Sequence, residues 1–208
     1  MNSSENPLPR RGPRAGGVER GHILQIATEL FSEHGYQATT IRKIGKAAGV
    51  DAKLIHYYFG TKEDLFTAAI SEVFRSRGLP DILSGYQPDA ADSPGTHYIR
   101  AVLTTIETPT VGTAFTGLIR NLGTHEESQK VFLRFVNEEL LDRLASQLQI
   151  ENAETRLALA GTQIFGLIYT RYILRIPPLT KLSIEQTAQL IGPTLDRYMR
   201  GDLEIEPN

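Results

Sequence analysis

Apolar residues along this chain recur at helical spacing, and no strand-like alternation persists anywhere. Between residues 18 and 34, Ile23, Ile26, Ala27, Leu30 and Phe31 fall at i, i+3, i+4, i+7 and i+8. That spacing predicts a helix with one apolar face, and Gly35 is placed to end it. A second, shorter helix follows, capped by Thr39 or Thr40 and closed by Gly49. Its Ile41, Ile44 and Ala48 face inward while Arg42, Lys43 and Lys46 face out. Asp51 can cap a third, very short helix in which Leu54, Ile55 and Tyr58 compete for the core. Gly60 stops it. The run Thr61-Lys62-Glu63-Asp64 opens a fourth helix with a capping-box pattern, extending to about residue 77. Its stripe of Leu65, Phe66, Ala69, Ile70, Val73 and Phe74 is wide enough to touch two bodies, so it reads as a strut.

Residues 78–94, rich in Gly, Pro and Asp, read as a loop. Helical patterns then cover about 95–107, 110–122, 126–149, 152–175 and 183–200. The expected fold is all-α: an N-terminal three-helix helix-turn-helix domain followed by a C-terminal helical-bundle effector and dimerisation domain. The expected divisions are a disordered basic tail at 1–17, a helix-turn-helix domain at 18–63 and a helical body at 64–208.

Charge sharpens this division. The net charge of −2 hides an asymmetry: residues 1–62 carry nine Lys/Arg against five Asp/Glu, and residues 63–208 thirteen against nineteen. A basic head of +4 on an acidic body of −6 suits a molecule that meets phosphates at one end. The tail arginines 10, 11 and 14 can add phosphate attraction or reach a minor groove. There is no cysteine, which excludes disulfides, thiolate catalysis and Cys-based metal sites. The five histidines show no metal-ligand spacing. No phosphate loop, nucleophile elbow or catalytic carboxylate pair is visible, so neither an enzyme nor a cofactor is expected. The longest charge-free run, residues 157–170, has 14 residues, short of the roughly 20 that cross a bilayer. A cytoplasmic protein without a membrane span is expected.

A helix-turn-helix needs one helix across the DNA backbone and a second presenting side chains to base edges. Thr39 and Thr40 stand at a helix start, where hydroxyls and free N–H groups suit a phosphate. Ala52, Lys53, Leu54, His56 and Tyr57 are the exposed candidates on the next helix, and Lys62 opens the one after. Lys53 could meet a phosphate or a guanine. Tyr58 and Phe59 read as core; Tyr57 reads either way.

The run Phe31, Gly35, Tyr36, Thr39, Thr40, Ile41, Ile44, Ala48, Gly49, Val50, Ile55, Tyr58, Phe59, Thr61, Lys62, Glu63 and Leu65 resembles the signature of the tetracycline-repressor (TetR-like) family of transcriptional regulators. Three positions depart from it: Gly45 for the usual alanine, Asp51 for serine, His56 for tyrosine. The resemblance implies that the second-helix threonines and the Tyr/His/Lys cluster anchor phosphates, and that residues 52–54 and 57 face bases; Arg42, facing out from the second helix, is a further DNA-binding candidate. It implies a homodimer on a pseudo-palindromic double-stranded operator, built through the last two helices.

In the last helix Ile184, Ala188, Ile191, Leu195 and Tyr198 make a narrow 4-3-4-3 seam, joined by Gly161 and Ile168 on the helix before. An internal helical pair would read the same way. Pro193 is expected to kink or break that helix. Phe115, Phe132, Phe135, Phe165 and Tyr169 read individually as core, and the resemblance implies a pocket among them for an unidentified small-molecule effector. The expected function is a regulator, a repressor released by that effector; the alternative is one controlled by a protein partner or by abundance.

Overall fold

A computed structural model describes residues 13–84, 92–142, 145 and 150–204. Every described element is helical. α1 (Pro13–Ala38) begins inside the stretch expected as tail, so residues 13–17 are helical, while residues 1–12 lie outside the described residues. Ile23, Ala27 and Phe31 of α1 are fully buried, as the spacing predicts. Gly35 breaks the helix at φ 78° and ψ 167°, a conformation side-chain-bearing residues avoid. The break turns Tyr36 inward against Phe31 and Phe66, with ring centroids 6.0 and 5.0 Å away.

α2 (Ile41–Ala48) and α3 (Ala52–Phe59) are joined by a tight turn. Thr40 caps α2 by accepting from the Lys43 N–H at 3.2 Å. Gly49 closes α2 in the left-handed region, φ 68°, and its N–H returns to the Gly45 carbonyl. Asp51 caps α3, accepting from the Lys53 N–H at 2.7 Å. Thr61 and Asp64 form the capping box of α4 (Lys62–Ser76): the Thr61 N–H donates to the Asp64 carboxylate at 2.8 Å and the Asp64 N–H to the Thr61 hydroxyl at 3.1 Å. α4 buries Leu65 and Phe66 against α1 and carries Phe74 into an aromatic cluster with Phe115 and Phe135.

The stretch expected as a loop contains a short helix, α5 (Leu79–Ser84), which buries Leu79. Pro80 sits in the first turn, where a missing N–H costs nothing, and Asp81 favours the helix start. The body continues with α6 (Pro94–Ile106), α7 (Pro109–Arg120), α8 (Glu126–Phe135), α9 (Ala153–Ile168), the single turn α10 (Pro177–Thr180) and α11 (Ile184–Arg200). α8 and α9 each run on into a wider π-type segment, Val136–Asp142 and Tyr169–Ile173. Such widenings are often found at functional sites. The buried Arg171 guanidinium donates to the Leu179 and Leu182 carbonyls and pairs with Glu107, pinning the α9–α11 connection.

α6 and α11 pack most intimately. A Cβ on Gly192 would lie 2.4 Å from Thr96 Cα, so only glycine permits this crossing. Asp196 accepts from the Gly95 N–H at 2.8 Å, and Arg100 grips Glu185 through two bonds of 2.7 and 2.9 Å. That pairing pushes the Glu185 carboxyl down to about 2.

This contact involves part of the stripe expected as a dimer seam. Ala188 and Leu195 are fully buried against neighbouring helices of their own chain, and Ile168 is 3% exposed. Ile184, Ile191 and Tyr198 remain half-buried, while Leu190 is 64% exposed. Periodicity identifies an apolar stripe without saying which helix covers it, and here much of it serves α6. Pro193 does not break α11: Pro193 and Gln189, whose carbonyl loses its helical donor, are both exposed, so water can satisfy that carbonyl.

Candidate nucleic-acid interface

The surface formed by α2, α3 and the start of α4 gathers nearly all the residues expected to meet DNA. Thr40, Arg42 and Lys46 are exposed on α2 and its cap; Lys53, His56 and Tyr57 are exposed on α3. Ala52 and Leu54 are half-buried at the same edge. Lys43 is exposed too, its ammonium bonded to the Ala38 carbonyl at 2.9 Å.

Thr39 is the exception. It is fully buried, and its hydroxyl donates toward the Leu30 and Gly35 carbonyls at 3.0 and 2.8 Å. These carbonyls lie in the last turn of α1 before its break and at the break itself. The Thr39 side chain therefore ties the end of α1 to the start of α2 and cannot reach a phosphate. Two adjacent threonines divide the work: the buried one fixes the joint and the exposed one caps.

On α3, buried Ile55 and Phe59 hold the helix down while Tyr57 stands 80% exposed. Its ring meets Tyr58 edge-on at 5.3 Å, which limits its swing. Tyr58 is half-buried, and its hydroxyl reaches Glu19 at 3.4 Å. His56 Nδ1 lies 2.6 Å from the Gly60 carbonyl, an acceptor only, so Nδ1 carries the proton and Nε2 is left available. Arg20, which periodicity does not single out, stacks over the Phe59 ring at 4.7 Å and braces α3 from α1.

Lys62 is half-buried, with its ammonium 4.1 Å from the Tyr36 ring centroid. Burial pulls its pKa below the ordinary lysine value, opposed by Glu127 and Glu63. The Tyr36 ring holds the cation in place, and an arriving phosphate would offset the lost hydration. One further pairing escaped sequence reasoning. Asp64, the capping-box carboxylate of α4, also pairs with Arg134 of α8. Nothing in the spacing of residues 70 positions apart signals this contact.

α8 leads to a second feature, a cavity of about 350 Å³ in the body. Phe115, Phe132, Phe135 and Phe165 line it. Tyr169 does not; it stacks on Phe165 at 5.9 Å and supports a lining ring instead. Gly161 and Ile168, expected at a dimer face, line the cavity, as do Phe74, Tyr98 and Val102, which sequence reasoning did not place there. Among the described residues no cluster could hold a metal ion, and no helix is long and apolar enough to cross a membrane.

Comparison with known proteins agrees with this geometry. A family model described as bacterial regulatory proteins, tetR family, matches residues 23–69, and one described as the tetracyclin repressor-like C-terminal domain matches residues 92–199. The HTH-type transcriptional repressor AcnR of Corynebacterium glutamicum is 35% identical over 77 residues, 34% of this chain and 41% of that protein. The HTH-type transcriptional regulator HbdR of an Aromatoleum species is 46% identical over 61 residues, 29% of this chain and 27% of that protein. The chain thus spans less than half the length of these curated relatives. A crystal structure of a TetR-family regulator from Streptomyces coelicolor superposes with a TM-score of 0.60 at 25% identity, covering 91% of this chain and 99% of that one. With one family model on the helix-turn-helix and another across most of the body, the chain belongs to the tetR family of bacterial regulatory proteins.

Proposed function

We propose that this protein is a homodimeric DNA-binding transcriptional regulator, a repressor that leaves its operator when a small molecule fills the body cavity. The observation carrying the DNA-binding reading is the face of α2 and α3. There Thr40, Arg42, Lys46, Lys53, His56 and Tyr57 are all exposed on one edge above a buried aromatic base. Lys53 and Tyr57 would meet base edges, with Thr40, Arg42 and Lys62 on phosphates; His56 would join them only as the imidazolium, since its Nδ1 proton already goes to Gly60 and a phosphate needs a donor at Nε2. Two copies would read a pseudo-palindromic site in successive major grooves.

The Asp64–Arg134 pair supports coupling between cavity and DNA. Arg134 is flanked on α8 by Leu133 and the cavity-lining Phe135, and Asp64 fixes the start of α4 beside Lys62. A ligand that shifts α8 would therefore move the α4 start. Such a switch works only if the ligand prefers one state over the other.

Operator selection with purified protein, followed by titration at several salt concentrations, tests the DNA-binding reading. Lys62→Ala should weaken all sequences alike and lower the log–log salt slope by about one unit per lysine, about two for a dimer. Loss confined to one base position, or an unchanged slope, would contradict a phosphate role.

A further inference from the structure

We infer that the body cavity is built for an uncharged, largely apolar, flat ligand of about two-ring size that presents one hydrogen-bond acceptor to the Tyr98 hydroxyl. The inference rests on reading this cavity as the effector site and adds the chemistry of the effector.

Three observations carry it. First, the described residues lining the cavity include no charged side chain. An ion entering would lose its hydration and meet no counter-charge among the described residues, a cost that apolar contact cannot offset. Second, five phenylalanines, at positions 74, 115, 132, 135 and 165, surround the space, most of them in edge or tilted contact with one another. Rings already locked in this way offer flat faces and edges at little entropic cost, which suits an aromatic guest. The volume, about 350 Å³, lies near the lower end of the roughly 300–1,000 Å³ typical of ligand sites.

Third, Tyr98 lines the cavity at only 2% exposure and has no hydrogen-bond partner among the described residues. Burial also pushes its phenol up to about 12, so it remains a neutral donor. With no partner of its own among the described residues, this hydroxyl is open to an acceptor on a guest. Thr162, the other hydroxyl at the wall, already donates to the Leu159 carbonyl at 2.7 Å. Tyr98 is therefore the free donor of the wall, and a carbonyl or ether oxygen would satisfy it.

Equilibrium dialysis of the full chain against three matched probes tests the inference: acetylnaphthalene, ethylnaphthalene and naphthoate. Acetylnaphthalene should bind, ethylnaphthalene more weakly, and naphthoate at least about a hundredfold more weakly than acetylnaphthalene. Tyr98→Phe should weaken acetylnaphthalene about tenfold and leave ethylnaphthalene unchanged. Naphthoate binding as tightly as acetylnaphthalene would overturn the inference, as would failure of both neutral probes. Equal effects of Tyr98→Phe on the two neutral probes would do the same. Operator affinity measured with and without acetylnaphthalene separates the two readings: selective binding without any change in operator affinity removes effector control and leaves the ligand class standing.

Discussion

Phe66→Ala is expected to lower the unfolding free energy by about 3–5 kcal/mol. Phe66 is fully buried where three segments meet: α1, the chain just after its Gly35 break, and α4. Its ring stands edge-on to Phe31 at 4.8 Å and to Tyr36 at 5.0 Å, each with planes 78° apart. Truncation removes the burial of a whole ring and two edge-to-face contacts, and it leaves a cavity whose walls belong to different helices. Because Tyr36 is also the ring beneath Lys62, the loss reaches the DNA-binding face. Urea denaturation followed by circular dichroism measures the effect, with Phe66→Leu expected to recover a large part of it. A loss below about 1 kcal/mol would mean that these segments collapse onto one another freely.

Elements whose shape is set by short-range chemistry were legible in the sequence. Thr40, Gly49, Asp51, Gly60 and the Thr61–Asp64 box punctuate the chain locally, and the helices between them fall within a residue or two of expectation. Capping depends on side chains within three or four positions of the backbone groups they satisfy, so spacing alone reveals it. The exposure of Arg42, Lys46, Lys53, His56 and Tyr57 was also legible, because the apolar residues between them take the inward positions of two short helices.

What spacing could not settle was the identity of the partner across a contact. Thr39 and Thr40 are indistinguishable as sequence, yet one is sealed beneath the α1 break and the other faces solvent. Ala188 and Leu195 sit on a genuine apolar stripe, but α6 covers it, because Gly95 and Gly192 allow the two backbones to close. Gly161 and Ile168 line the cavity. The Asp64–Arg134 pair and the Tyr98 wall position depend on helices distant in sequence. In each case residue type and period are compatible with two surroundings, and only tertiary packing selects one.

Tyr57→Ala is expected to separate stability from DNA binding. With 80% of the residue exposed, truncation should move the unfolding free energy by no more than about 0.5 kcal/mol. A large aromatic held out to water on a short helix contributes little to the fold, and Ile55 and Phe59 anchor α3 without it. Its edge contact with Tyr58 preorders the ring, so little freedom is lost when a groove receives it. Losing one groove contact costs about 1–2 kcal/mol. In a two-fold complex the loss counts twice, so operator affinity should fall roughly thirty- to a thousandfold. Tyr57→Phe divides the ring from its hydroxyl: near-native affinity assigns the contact to apolar packing, as against a thymine methyl, whereas a drop matching that of alanine assigns it to the hydroxyl on phosphate or base. An affinity change below about threefold for Tyr57→Ala would remove Tyr57 from the interface and shift recognition onto Lys53 and the helix start.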